Sequence, residues 1–300
     1  MGNMPTNREL YFSLFKENHK YLNRNVITTL LCFVNGFDCN LTLYKHFDEE
    51  CKHYDDFESY VLKIKNGEPY QYVIGKANFI DLQFNVNPSV LIPRQETEQL
   101  VIGTKVLMDK MFGPYAKINI ADVCTGSGVI GIYMKKFYKQ SNVYISDIDE
   151  ECLEVAKGNS KLHNLPVNAL QGDLLLPFIE QKIKLDVLIC NPPYIGDEST
   201  IDEQVWKYEP HKALLASPKT LFYERIFQDA DKVMNKNALL AFEIGEDMEP
   251  ELSEMVEKYF PNSAYKITKD IYGKYRFLYI MINFSVSKDC LFSIELFTFS

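Results

Sequence analysis

Short apolar runs alternate with helix-length stretches from about residue 95 onward, and this alternation restricts the fold more than any other feature of the sequence. Buried strands are indicated at 117–124, 142–147, 167–171, 185–190 and 238–244. Helical patterns lie at about 126–139, 150–163, 219–235 and 247–259. Strands that alternate with helices form a parallel sheet covered on both faces, so we predict an α/β domain. Apolar runs at 264–268 and 276–284 are expected to complete this sheet at its edge.

The chain before this region has a different pattern, which predicts a separate small domain. Apolar residues recur at helical spacing from about residue 8 to 66, where Asn66-Gly67-Glu68-Pro69 interrupts the pattern. Residues 77–86 alternate well enough to predict a short hairpin. The predicted divisions are a helical domain over 1–66, a hairpin connector over 67–90, the sheet domain over 91–284 and an apolar tail over 285–300.

Composition and charge exclude several classes of protein. The 300 residues contain 32 Lys and Arg against 41 Asp and Glu, and this net charge of −9 opposes a broad face for binding nucleic acid. Seven scattered cysteines and five histidines show no metal-ligand spacing, so we expect no bound metal and a reducing, cytoplasmic compartment. No window approaches the roughly 18 apolar residues of a membrane span. We expect a soluble monomer that does not associate with membranes.

The first predicted strand ends in a glycine-rich loop typical of nucleotide sites. The loop runs from Asp122 to Gly128 as DVCTGSG, and a helical pattern follows at once. At the carboxyl end of a parallel strand, such glycines let a ligand approach the backbone, and the helix N-terminus offers free N–H groups. Gly126, Gly128 and Gly131 also satisfy GxGxxG, and Asp147 ends the next strand, where an acid can hold a ribose. Taken alone, this pattern would suggest NAD.

Two acids favour S-adenosylmethionine over NAD. Asp122 stands inside the turn, four residues before Gly126, where a carboxylate can face the cationic methionine end of the cofactor. The same carboxylate would repel a pyrophosphate. Asp173 follows the run 167–171 and is expected to meet the adenine amino group, with Leu174 against the ring.

The fourth strand runs directly into Asn191-Pro192-Pro193-Tyr194, which predicts a substrate site. The prolines leave no backbone N–H at 192 and 193 and hold their carbonyls outward in a stiff loop. The Asn191 side-chain oxygen and the Pro192 carbonyl can each accept one hydrogen from a planar –NH2 group. Tyr194 is expected to stack on the substrate and exclude water. Methyl transfer from a sulfonium then needs mainly in-line approach and orientation.

With these motifs the sequence resembles the HemK/PrmC family, the methyltransferases that modify the glutamine amide of the GGQ motif in class I peptide chain release factors. The resemblance covers about residues 8–283. Besides NPPY, it rests on 67–75 (GEPYQYVIG), 91–101 (LIPRQETEQLV), 122–131 (DVCTGSGVIG), 146–149 (SDID), 172–175 (GDLL), 208–216 (YEPHKALLA) and 242–245 (FEIG). It implies a class I methyltransferase domain with a Rossmann-like, seven-stranded sheet, S-adenosylmethionine as cofactor, and a small N-terminal helical domain, which we expect to dock the protein substrate.

The family's functional residues map onto matching positions of this chain. The resemblance implies that the methionine end of the cofactor is lined by Cys124, Thr125, Gly126, Ser127 and Gly128. It further implies that Asp147 holds the ribose, Asp173 and Leu174 the adenine, and residues 191–194 the glutamine amide. Arg94, Glu96 and Glu98 match the PRxETE signature and are expected to close over the cofactor or brace the substrate loop.

Three features depart from the family pattern, and three other functions remain as alternatives. Cys124 stands where a glycine is usual, Leu174 stands where an aromatic residue is frequent, and the tail after 284 is additional. One alternative is methylation of a glutamine in a ribosomal protein. A second is methylation of adenine in DNA, which the net charge of −9 opposes. The third, an NAD-binding protein, leaves NPPY and LIPRQETE unexplained.

Overall fold

The computed structural model describes residues 4–38 and 40–283 of a chain that divides into two compact units. The first unit comprises residues up to Lys76 together with Asp202–Tyr208, and the second comprises Ala77–Ile201 and the residues from Glu209 onward. The sequence predicted a division at residue 66, whereas the first unit extends ten residues further. The apolar tail predicted over 285–300 lies outside the described residues.

The first unit is helical. Its helices are α1 (Asn7–Glu17), α2 (Arg24–Asn35), α3 (Asn40–Lys45), α4 (Tyr54–Lys65), α5 (Tyr70–Ile74) and α10 (Glu203–Tyr208). A capping box begins α1, because Thr6 accepts from the Glu9 backbone N–H while the Glu9 carboxylate accepts from that of Thr6. Gly36 ends α2 in the left-handed region that favours glycine. Apolar faces of these helices form one buried cluster, which includes Ile27, Leu30, Leu31 and Leu43.

The second unit contains a hairpin and a seven-stranded sheet with its covering helices. The hairpin strands are β1 (Lys76–Phe79) and β2 (Leu82–Asn85). The sheet strands are β3 (Asn119–Val123), β4 (Asn142–Asp147), β5 (Asn168–Gln171), β6 (Leu185–Cys190), β7 (Met234–Glu243), β8 (Ala264–Lys269) and β9 (Tyr275–Ile282). The helices are α6 (Gln95–Met111), α7 (Val129–Phe137), α8 (Glu150–Leu162), α9 (Leu176–Glu180), α11 (Leu221–Val233) and α12 (Glu249–Tyr259).

The strand order is β5-β4-β3-β6-β7-β9-β8, with β3 at the centre of the five parallel strands. Val123 pairs with Ser146 on one side and with Cys190 on the other, so three strands end at one edge of the sheet. The runs predicted at 264–268 and 276–284 complete the sheet at one edge as β8 and β9, and β8 is the outermost strand. Strand β9 lies between β7 and β8 and is antiparallel to both, because a short turn joins β8 to β9.

Alternate residues of the strands face two apolar cores. Ala121 and Val123 of β3 belong to the core covered by α9, α11 and α12, whereas Ile120 belongs to the core covered by α6, α7 and the hairpin. This alternation buries both faces of the central strands and explains why β3 and β6 are mostly apolar. Helix α6, which begins immediately after Arg94, was absent from the sequence prediction. No side-chain hydrogen bond caps its first turn, so the usual starting signal is missing.

Candidate active site

A cavity of about 310 Å³ lies at the carboxyl ends of β3 to β6. The loop after each of these strands contributes to its wall, as expected for the ligand site of a parallel sheet. The predicted site residues in this wall are Arg94, Cys124, Thr125, Gly126, Ser127, Asp147, Asp173, Leu174, Asn191 and Pro193. The predicted residues outside it are Glu96, Asp122, Gly128, Pro192 and Tyr194. The cavity therefore brings together most of the predicted set, drawn from five separate segments of the chain.

The glycine loop combines one open position with two packed ones. A Cβ added at Gly126 would meet nothing within 4 Å, whereas at Gly128 it would lie 2.9 Å from Ala156 Cβ. At Gly131 it would lie 2.5 Å from a side-chain carbon of Ile145. Gly126 thus leaves space for a ligand, while Gly128 and Gly131 let α7 and its loop pack against α8 and the sheet. Cys124 has a φ of 59°, in the left-handed region of the backbone. Glycine is usual at this position because it adopts this conformation more readily than other residues.

Asp122 lies beneath the loop and is fully buried. Its Oδ2 accepts hydrogen bonds from Thr125 Oγ1 at 2.5 Å and from the Gly131 backbone N–H at 2.8 Å. Its Oδ1 has no hydrogen-bond partner. Burial disfavours the charged form and raises the pKa of this carboxyl to about 7. The aspartate thus holds the loop from below and carries one unsatisfied acceptor.

Two acids reach the cavity wall: Asp147, the last residue of β4, and Asp173, which follows β5. Asp147 Oδ2 accepts from the Gly126 N–H at 3.0 Å, so β4 helps to hold the glycine loop. Burial raises the pKa of Asp147. Asp173 pairs with Arg225 of α11 at 2.5 Å, and Leu174 beside it has a φ of 50°. These acids have free acceptor capacity toward the cavity, since a carboxylate offers about four acceptor sites.

A chain of side-chain hydrogen bonds leads from Asn191 into the protein. Asn191 Nδ2 donates to Thr97 Oγ1 at 3.2 Å, and Thr97 Oγ1 donates to Glu243 Oε2 at 2.7 Å. Tyr194 donates its hydroxyl to the other oxygen of Glu243 at 3.0 Å and packs against the core. Tyr194 therefore anchors the loop from inside the protein, whereas the sequence analysis assigned it to stacking on a substrate.

Comparisons with known proteins agree on one family. The family model "Methyltransferase small domain" matches residues 96–213. The release factor glutamine methyltransferase of Bacillus cereus is 38% identical over 89% of this chain and 95% of its own length. That of Clostridium acetobutylicum is 37% identical over 82% of this chain and 87% of its own length. The chain belongs to the release factor glutamine methyltransferase family. The resemblance drawn from the motifs is confirmed.

A solved structure supports the fold of this family member independently. The hMettl16 catalytic domain has a TM-score of 0.52 and 16% sequence identity, over 78% of this chain and 84% of its own. At that identity the likeness shows the fold alone. Together with the family match, it confirms the predicted class I, Rossmann-like methyltransferase fold.

Two glutamates form the main hydrogen bonds of the signature LIPRQETE in this family member: Glu209, outside it, and Glu98, within it. Glu209, which is 5% exposed, accepts from Arg94 at 2.5 Å and from the Ile92 backbone N–H at 3.1 Å. Glu98 accepts from the Ile80 N–H at 2.7 Å and so holds the turn of the hairpin. Arg94 reaches the cavity, whereas Glu96 and Glu98 do not.

Several residues of the site were missed by the sequence analysis. Phe222 and Arg225 of α11 line the cavity, and Lys212 lines it while pairing with Asp149. Four residues of the site and its surroundings lie within the motifs quoted above: Thr97, Lys212, Glu209 and Glu243. Membership of a motif could therefore have identified them, whereas their residue type alone could not. Phe222 and Arg225 carried no such signal.

A metal site and a membrane-spanning helix were both expected to be absent, and the structure describes residues 4–38 and 40–283. Among these residues, no group of three or more His, Cys, Asp or Glu side chains could hold a metal ion. None of their helices combines the length and apolar character that crossing a bilayer requires.

Proposed function

We propose that this protein transfers a methyl group from S-adenosylmethionine to the side-chain amide nitrogen of the glutamine in the GGQ motif of class I release factors. The observation that carries the proposal is Asn191 in the cavity wall, with its side chain fixed by Thr97. Support comes from the relative in Bacillus cereus, a release factor glutamine methyltransferase of which this chain covers 95%. The protein acts in the cytoplasm, as a monomer.

The cavity has the chemistry that the cofactor requires. Its volume of about 310 Å³ is within the range of small-molecule sites, and Gly126 leaves open space beside it. The buried Oδ1 of Asp122 lacks a hydrogen-bond partner, and carboxylates favour a cationic ligand nearby. The residues that would hold the methionine end are Cys124, Thr125, Gly126 and Ser127, which line the cavity, whereas Gly128 packs against α8. Asp147 would hold the ribose, and Asp173 with Leu174 the adenine.

The chain's own residues mainly orient the substrate. The cofactor supplies a methyl group bonded to a sulfonium sulfur, and loss of this methyl group leaves a neutral thioether. The amide nitrogen is a poor nucleophile, so its approach must be held in line. Asn191 Oδ1 and the Pro192 carbonyl accept the two hydrogens of the substrate amide. The N–CH3 bond forms as the C–S bond of the sulfonium breaks, and the methylated nitrogen then loses one of its hydrogens as a proton to solvent water. Pro192 and Pro193 are buried and offer no competing N–H donor.

The test is the transfer of labelled methyl from S-adenosylmethionine to a purified class I release factor. A release factor with Gln→Ala in GGQ, a ribosomal protein fraction and duplex DNA are assayed beside it. We expect label on the intact release factor alone. Label on the Ala variant would place the reaction at another residue, and label on the ribosomal fraction or DNA instead would replace the proposed substrate with one of the alternatives. The family membership already removes the NAD-binding alternative.

A further inference from the structure

The side chain of Asn191 is held by a relay that crosses three elements of the second unit. Asn191 follows β6, Thr97 lies in the first turn of α6, and Glu243 is the last residue of β7. Thr97 is 4% and Glu243 2% exposed, so water does not compete for the bond between them. The contacts are Asn191 Nδ2 to Thr97 Oγ1 at 3.2 Å and Thr97 Oγ1 to Glu243 Oε2 at 2.7 Å.

The relay has a direction because its members differ in what they can donate. An ionised carboxylate only accepts, and a hydroxyl has a single hydrogen. The Thr97 hydrogen therefore goes to Glu243, and the lone pairs of its oxygen are left for Asn191. The NH2 group is the donor half of the Asn191 amide, so this half must face the Thr97 oxygen. The carbonyl oxygen Oδ1 then faces the opposite way.

Both oxygens of Glu243 have a hydroxyl donor, as the ionised acceptor that this direction requires would have. Thr97 and Tyr194 each donate a hydroxyl to one of its two oxygens. Burial raises the pKa of Glu243 above its ordinary value, while these two hydrogen bonds and the positive charge of Arg276 act in the opposite direction and stabilise the carboxylate. Arg276 is itself held by Asp270 and by the Ile244 carbonyl, so its charge stays in place.

We infer that Glu243 and Thr97 are positioning residues that fix the amide of Asn191 with its oxygen toward the substrate. The inference rests on the proposed function. The opposite amide orientation would aim N–H donors at the –NH2 group of glutamine, which offers no good acceptor at its nitrogen. The relay thus presents the acceptor oxygen of Asn191 to the –NH2 group of an amide substrate. It also disfavours a glutamate side chain, since a carboxylate meets an oxygen there.

The decisive pair of variants is Thr97→Val and Thr97→Ser. Valine keeps the shape of threonine but has no hydroxyl, whereas serine keeps the hydroxyl and loses a methyl group. We expect Thr97→Val to lower kcat on a GGQ peptide by about 10- to 100-fold, the effect of leaving one polar group unpaired. Thr97→Ser should restore most of this rate. A packing role alone would give the reverse order, with the valine variant the more active.

A second readout reports the amide orientation through specificity. A peptide with GGE in place of GGQ is used as a competitive inhibitor. In Thr97→Val the freed Asn191 amide can turn its N–H groups toward the carboxylate, so the ratio of the GGE Ki to the GGQ KM should fall several-fold. An unchanged ratio would overturn the relay. Wild-type protein that methylates no GGQ substrate would instead overturn the proposed function, and these two failures are therefore distinguishable.

A third readout requires no substrate. The side-chain 15N resonance of Asn191, assigned by its loss in Asn191→Ala, is followed by NMR in ligand-free protein. We expect slow solvent exchange of one amide hydrogen in wild type and Thr97→Ser, and fast exchange in Thr97→Val. Tyr194→Phe is the matched control, because it removes an equivalent bond to Glu243 and leaves the Thr97 contact intact. Slow exchange in Thr97→Val, or equal loss in Tyr194→Phe, would contradict the relay.

Discussion

Asn191 and Asp147 line the same cavity but make different contacts, and the proposed function gives them separable roles. Asn191 bonds to a side chain of α6, whereas Asp147 bonds to the backbone of the glycine loop. Asn191→Ala removes the acceptor that we propose orients the substrate amide. We expect kcat to fall by at least about 100-fold, the effect of misplaced reacting groups. The affinity for S-adenosylmethionine, measured by calorimetry, should change by less than about threefold.

Asp147→Ala is the counterpart within the same cavity. It removes the predicted ribose acceptor together with the bond to the Gly126 N–H, which is 3.0 Å long. We expect calorimetry to show cofactor affinity at least about tenfold weaker, since a hydrogen bond to a charged group contributes about 1.5–3 kcal/mol. Unchanged affinity would remove Asp147 from the cofactor site, and joint loss of turnover and cofactor binding in Asn191→Ala would contradict its assignment to the substrate.

Cys124 occupies a backbone conformation suited to glycine. At a φ of 59°, an L side chain costs about 1 kcal/mol that glycine avoids. We expect Cys124→Gly to have a free energy of unfolding about 1 kcal/mol higher than Cys124→Ala in urea titrations. Cys152, inside helix α8, is the control, where glycine should instead be about 1 kcal/mol worse than alanine. The same order of variants at both positions would argue against strain at Cys124.

Asp122 gives the ligand-free protein a defined pH dependence. Its pKa is raised to about 7 in the folded state from an ordinary value near 3.8, so the folded protein holds a proton that the unfolded chain releases. Its contribution to stability is therefore complete below about pH 4 and is lost as the pH rises to about 7. Between pH 5 and 7, wild type should lose about 1.4 kcal/mol per pH unit relative to Asp122→Asn. A constant difference between the two proteins in urea titrations would refute this titration.

Helix α6 shows how one small side chain sets the distance between two elements. A Cβ at Gly103 would lie 2.3 Å from the hydroxyl oxygen of Tyr279, a residue of β9 that is 1% exposed. Because the tyrosine is enclosed, Gly103→Ala should destabilise the protein by about 1–3 kcal/mol in urea titrations. Gly158 of α8 is exposed and a Cβ there would meet nothing within 4 Å, so Gly158→Ala should stabilise by about 0.5–1 kcal/mol. Equal effects would mean that Gly103 is not a close contact.

At the level of elements, the sequence predicted what depends on local pattern and missed what depends on pairing. The five parallel strands were predicted because each is a short run of mainly apolar residues or is followed by a loop with a recognisable motif. The interior position of β9 was not, because an apolar run does not specify its neighbours. Thr97 and Glu243 meet across 146 residues of sequence, and Asn191 and Thr97 across 94. Such contacts are created by the sheet order, so motif spacing alone could not reveal them.

For the whole molecule, the cavity belongs to the second unit, and no chemistry is assigned to the helical first unit. Within the part of the chain that the structure describes, the residues that line the cavity all belong to the second unit. The first unit carries exposed aromatic side chains on α1 and α3, with Phe12 44%, Phe15 50% and Tyr44 47% exposed. Phe12 and Tyr44 both contact the ring of Phe47, so they belong to one patch. Exposed aromatic patches are typical of protein-binding surfaces.

This patch gives the predicted docking role of the helical unit a direct test. Phe12→Ser with Phe15→Ser should raise the KM for intact release factor about tenfold, since exposed aromatic anchors contribute 1 kcal/mol or more to interfaces. The KM for a short GGQ peptide should not change, because the peptide needs only the cavity. Leu62→Ser, which removes a 62% exposed side chain from α4, is the control for apolar surface lost elsewhere in the same unit. Equal increases in KM for peptide and protein would show that the substitutions act on the second unit. An unchanged KM for both substrates would assign docking to another surface.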